Sequence, residues 1–119
     1  VILVDTSVWV DHLRKGRQKL ASALVEGRVL CHPIVLGELA CGGIRNRVEV
    51  MALLAALPQA AVAEHVEVMQ FVHTHKLHGR GLGWIDVHLL ASAQLTGCRL
   101  WTNDHALLAA ARHLHVREA

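Results

Sequence analysis

The sequence has no tyrosine and a single phenylalanine, which excludes the aromatic-faced sheets that stack several bases at once. Its three cysteines, Cys31, Cys41 and Cys98, are odd in number, far apart and contain no C-x-x-C pair. That spacing excludes a disulfide scaffold and a ribbon-type zinc site, and points to reduced thiols in a cytoplasmic protein. No apolar run approaches the roughly 20 residues that cross a bilayer. The opening Val1–Val4 run meets Asp5 at once, too soon for a signal-peptide core. Charged residues are only 18% against 53% hydrophobic, a balance that excludes disorder. At 119 residues the chain is read as one domain, 1–119, large enough to bury its own core. The net charge of +2 permits a nucleic-acid partner without arguing for one.

Short β-branched runs alternate with helical stretches. Val1–Val4, Val29–Cys31 and Arg99–Trp101 read as strands, with possible further short strands at Ala60–Ala63 and around Val116. Helices are expected from Ser7 as cap, around Leu20–Leu24 up to Gly27, and from Pro33 to Cys41. Others are expected over Val48–Leu57, Glu64–Leu77, Trp84–Thr96, and Asp104–Arg112 behind Asn103 as cap. The glycine-rich 79–83 segment reads as a loop. The order β-α-β implies an α/β fold, a small central parallel sheet flanked by helices.

Aspartate is scarce, with only Asp5, Asp11, Asp86 and Asp104. Asp5 follows the first strand and Asp104 follows the late one, where side chains line the crevice of an open α/β sheet. Asp86 falls in the first turn of its helix and Glu38 in the second turn of another, both in apolar surroundings. Each acid alone suits a turn or a helix N-terminus. Brought together they would repel one another, and a divalent cation with hard oxygen ligands removes that repulsion. The chemistry such a site suggests is metal-assisted phosphodiester hydrolysis.

The blocks Ile2-Leu3-Val4-Asp5-Thr6-Ser7-Val8-Trp9, Glu38, Trp84-Ile85-Asp86 through Ala93, and Leu100-Trp101-Thr102-Asn103-Asp104 together resemble PIN domains. The likeness is strongest to VapC-type toxins of bacterial type II toxin–antitoxin systems and spans essentially the whole chain. It implies that Asp5, Glu38, Asp86 and Asp104 bind Mg²⁺ or Mn²⁺ and cleave RNA, with Ser7 and Thr102 in support. It implies attack by a metal-activated water, leaving a 5′-phosphate and a 3′-hydroxyl. It further implies a cognate VapB-type antitoxin that places a basic side chain in the acidic pocket and a helix on an apolar groove, and a homodimer. The position before Asp104, often basic in the family, is Asn103 here.

Arg80, in the glycine loop, and Arg14 and Lys15, in the basic run to Lys19, are candidates for gripping RNA phosphates; a solvated loop explains them equally well. Trp9 with Val8, Val10 and Leu13 forms either core or a docking face. His75 and His78 share a helix face, but no third zinc ligand has a fitting spacing. His105 adjoins Asp104. A haloacid-dehalogenase-like phosphatase needs a second aspartate where Ser7 stands, and a receiver domain needs an acidic pair and a late lysine that are missing. The remaining alternatives are a non-catalytic PIN-fold protein-binding module and a housekeeping RNA-processing PIN nuclease. Setting aside the four acids leaves twelve cations against six acids, so the rest of the chain is more basic than its total.

Overall fold

The computed structural model describes residues 1–119. Three strands form one parallel sheet: β1 (Ile2–Val4), β2 (Val29–Leu30) and β3 (Arg99–Trp101), in the order β2-β1-β3. Seven helices surround it: α1 (Thr6–Lys15), α2 (Gln18–Val25), α3 (Pro33–Ala40), α4 (Arg47–Ala55), α5 (His65–Thr74), α6 (Trp84–Thr96) and α7 (His105–His113). This is the α/β architecture expected from the alternating pattern.

The central strand is β1, and its three residues are all buried. Ile2 registers with Val29 on one side and Arg99 on the other, so β1 is covered on both edges and both faces. The chain leaves β1 toward β2 and returns on the opposite edge as β3. Beyond the carboxyl end of β1 the connections therefore diverge, which opens a crevice, and Asp5 occupies that position.

The most deeply buried helix is α6, with every side chain from Val87 to Ala93 buried. A helical stretch buried on every side has no solvent face to present, so its polar members, His88 and Ser92, lie inside with the rest. It ends at Gly97, whose φ of 72° lies in the left-handed region that glycine enters without a Cβ penalty. The core also takes in Val8 and Trp9 of α1, Leu20 and Ala23 of α2, and Leu107 of α7. Trp9 and Val8 are thus core, whereas Val10 is exposed. No helix is long and apolar enough to cross a membrane, and all three cysteines are free thiols.

Four expectations are corrected. Residues 60–63 form no strand: Cys31 and Gln59 pair through one isolated bridge, in which the Ala60 amide donates to the Cys31 carbonyl, after which the Ala61 amide turns to the Thr96 hydroxyl. Val116 starts no edge strand either, since only Glu118 bridges Leu100. The first helix is capped by Asp5 instead of Ser7, its carboxylate accepting from the Thr6 amide. The last is capped by Asp104 instead of Asn103, its carboxylate accepting from the Leu107 amide. In both cases the acid at the strand end starts the next helix one or two residues from the expected cap.

Candidate active site

Backbone pairing brings the ends of β1 and β3 together: the Asp5 amide donates to the Trp101 carbonyl at 2.9 Å. Two hydroxyls then lock the junction. Thr102 Oγ1 donates to Asp5 Oδ2 at 2.7 Å and Ser7 Oγ donates to the same oxygen at 3.0 Å. Each hydroxyl in turn accepts a backbone amide from the β3–α7 turn, Asp104 N to Thr102 at 3.0 Å and Asn103 N to Ser7 at 3.2 Å. Asp5 Oδ1 takes the Thr6 amide at 2.8 Å. The Asp5 carboxylate is thus buried, with both of its oxygens occupied by hydrogen bonds.

The other acids reach the same cleft from separate elements. Its lining comprises Asp5, Thr6, Ser7, Glu38, Gly83, Trp84, Ile85, Asp86 and Asp104. Glu38, on α3, has Oε1 held by the Thr6 hydroxyl at 2.5 Å. Asp86 stands at the third position of α6, where Oδ2 reaches back to the Gly83 amide at 2.8 Å. Asp104 turns one oxygen to the Leu107 amide at 2.9 Å. The remaining oxygen of each of these three acids has no protein partner. Sequence spacing of 33, 48 and 18 residues has been folded into one all-carboxylate cleft.

No cation of the protein neutralises it. The three ion pairs of the chain are Arg17–Asp11, Arg28–Glu26 and Arg112–Glu118, all elsewhere. The consequence is visible at Asp86, whose proton affinity is raised first by burial and then by the charges of Asp104, Asp5 and Glu38, against the opposing Gly83 amide. The folded state thus holds a proton on Asp86 more readily than the unfolded chain. Ionising it as pH rises through its pKa therefore costs stability. Asp86→Asn, which retains an oxygen for the Gly83 amide, is expected to raise the urea midpoint at neutral pH and low salt. The gain should shrink as salt screens the repulsion, and a lowered midpoint would contradict it.

The donor set fits a hard divalent cation: oxygen only, anionic and unpaired. As the side chains stand, no three of them are close enough together to hold an ion.

A buried pair that sequence reasoning missed ties the two helices bearing Glu38 and Asp86. His32 caps α3, its Nδ1 accepting the Ile34 amide at 3.0 Å. With Nδ1 as acceptor, Nε2 carries the proton and donates to Ser92 Oγ of α6 at 2.8 Å. Both residues are fully buried. The one local signal was a serine inside the apolar run Leu89–Ala93.

The basic candidates fall in different places. Arg14 lines a groove of about 580 Å³ that adjoins the cleft at Glu38, with Val10, Leu13, Leu39, Ile44 and Val50 as apolar walls and Arg45 as a second cation. Lys15 is exposed at the end of α1. Arg80 donates from Nε to the Lys76 carbonyl at 3.0 Å and does not line the cleft. Neither does His105. His75 packs on Phe71 at 4.7 Å, while His73 and His78 are exposed.

An open α/β sheet with four acids gathered beyond its strand ends can be set against proteins of known family. The family model described as PIN domain matches residues 2–113. The chain is 49% identical over 111 residues to Ribonuclease VapC32 of Mycobacterium tuberculosis, in strains CDC 1551 / Oshkosh and ATCC 25618 / H37Rv alike. That alignment covers 92% of this chain and 90% of the relative. The crystal structure of FitAcB from Neisseria gonorrhoeae superimposes with a TM-score of 0.62 over 94% of both chains, at 19% identity, a likeness of fold. The chain belongs to the PIN-domain family and, within it, to the VapC group.

Proposed function

We propose that the protein is a metal-dependent endoribonuclease, the toxin of a VapBC-type pair, with Asp5, Glu38, Asp86 and Asp104 as its metal-binding and catalytic acids. The observation that carries this reading is the convergence of four unneutralised carboxylates in one cleft. The name of its relative, a ribonuclease, supports the reaction.

When bound, Mg²⁺ or Mn²⁺ supplies charge neutralisation for the scissile phosphate and lowers the pKa of water. The chain's own contribution is to hold the site in shape. Ser7 and Thr102 fix the Asp5 carboxylate through Oδ2, and Thr6 bonds both Asp5 and Glu38, so β1, α3 and the β3–α7 turn are tied together at the site. The free oxygens of Glu38, Asp86 and Asp104 complete the donor set. No protein nucleophile is needed, and hydrolysis leaves a 5′-phosphate and a 3′-hydroxyl. Arg14, on the groove beside Glu38, and Lys15, exposed at the end of α1, meet flanking RNA phosphates; Arg80 reaches a phosphate only by leaving the Lys76 carbonyl.

The cognate VapB-type antitoxin places a cation in the acid cleft and an apolar helix in the adjoining groove. Exposed Val62, Val66 and Met69 at and before α5 offer an apolar face to a second copy in a homodimer. The three free thiols suit action in the cytoplasm.

Expression of the chain alone in a bacterium is expected to arrest growth and to leave RNA fragments with 5′-phosphate ends. Fragments ending in 2′,3′-cyclic phosphate would overturn the hydrolytic mechanism, because they require attack by the RNA's own 2′-hydroxyl.

A further inference from the structure

Four side chains supply all the phenylalanine and tryptophan surface of the protein, and three of them are committed elsewhere. Trp9 is buried in the core. Trp101 is half-buried, with the Lys19 ammonium 4.8 Å above its ring. Phe71 is half-buried against His75 and lines a cavity at α5 that contains none of the four acids. Trp84 alone is well exposed, at 41%, and it alone lines the acidic cleft.

We propose that Trp84 is a nucleobase-stacking residue of the cleft, receiving an unpaired base of the RNA strand beside the bond that is cut. The proposal rests on the ribonuclease reading above and adds to it the means by which a single strand is held.

Three features carry it. The first is place: Trp84 opens α6 two residues before Asp86, so its ring is fixed to the same helical turn as a proposed metal-binding acid. The second is rigidity. His88 packs edge-on to the indole at 4.7 Å and 87°, and His65 packs on it at 5.0 Å and 51°. Two imidazoles from α5 and α6 thus set the ring plane before any ligand arrives, which removes much of the ordering cost of binding. The third is contrast. Apart from Ile85, the rest of the cleft lining is polar or glycine. A ligand for this surface has to join an anionic, metal-seeking part to a flat aromatic part. An unstacked nucleotide does both, whereas a base inside a duplex has its faces already covered. Every base has a π-face, so stacking here would hold the strand without strict sequence choice.

The test is steady-state cleavage of a short single-stranded RNA, and of the same RNA carrying one abasic residue beside the mapped cleavage site. Wild type, Trp84→Phe and Trp84→Leu are compared. Loss of one stacked base corresponds to roughly a 5- to 150-fold weaker interaction. KM on intact RNA should rise by that order in Trp84→Leu, with kcat little changed and with most of the loss rescued in Trp84→Phe. Wild type should lose as much on the abasic RNA, and Trp84→Leu should lose nothing further on it. The abasic arm uses the wild-type protein, so a folding defect cannot imitate it. An unchanged KM for wild type on abasic RNA, or losses that multiply when the variant meets abasic RNA, would overturn the proposal. Absence of any RNA cleavage by wild type would instead overturn the ribonuclease reading on which it rests.

Discussion

Asp5→Asn is expected to yield a folded protein that cleaves RNA at least about a hundredfold more slowly, the scale of loss when one preorganised charge leaves a reaction centre. The substitution removes charge and little else. Asparagine is as good a helix cap as aspartate, so the Thr6 amide keeps its acceptor. The Ser7 and Thr102 hydroxyls, which now donate to Oδ2, can turn and accept from the new amide group. Asp5→Ala is a different experiment. It strips the cap from α1, at a cost of about 1 kcal/mol, and leaves two part-buried hydroxyls without their acceptor. Cleavage rate and thermal midpoint measured side by side separate the two. The account predicts an inactive Asp5→Asn of near wild-type stability and an inactive, less stable Asp5→Ala. An Asp5→Asn protein that cleaves RNA at the wild-type rate would remove Asp5 from the site.

The second large effect is on stability against acid, and it comes from His32. Burial, with a smaller contribution from His88, lowers its pKa from 6.5 to about 4. The sign follows directly. In the unfolded chain the ring takes a proton near pH 6.5, while in the fold it stays neutral until about pH 4. The unfolded state therefore binds more protons in that window, and stability falls as pH drops through it. The contribution is whole above pH 6.5 and lost below about pH 4. At 1.36 kcal/mol for each unit, the difference amounts to about 3 kcal/mol, a large part of a small domain's total. Protonation also has a structural consequence: Nδ1 accepts the Ile34 amide, so a proton there costs α3 that cap. His32→Asn keeps a capping acceptor and cannot titrate. Urea midpoints taken from neutrality down to acid should fall steeply for wild type and less steeply for His32→Asn. Parallel slopes would show that another group carries the acid sensitivity.

Much of this site was legible from the sequence. Each strand that matters is a short apolar run that stops at or near an acid, and α6 and β3 occupy the residues their patterns predicted. The charge argument also carried over, since Asp86 does feel the other three acids. The caps were assigned to the wrong neighbours for a physical reason. Asp, Ser and Asn are nearly equal as caps, and only tertiary pairing of β1 with β3 decides which residue lies at the turn. Asp5 and Asp104 consequently cap helices and line the cleft at once. The strands expected at 60–63 and 116 reduce to single bridges because so short an edge has little ladder to gain from. The His32–Ser92 pair joins residues sixty apart and leaves no periodicity to read. Arg45 entered the groove through the loop between α3 and α4, whose course no local pattern announces.

Four carboxylates acting as one centre make cleavage depend on a divalent cation. The most direct measurement is the rate of cleavage of single-stranded RNA by the wild-type protein as Mg²⁺ or Mn²⁺ is titrated into chelator-treated enzyme. No cleavage is expected with chelator, and a saturable rise in rate with either ion. Cleavage at an undiminished rate in excess chelator would contradict this dependence.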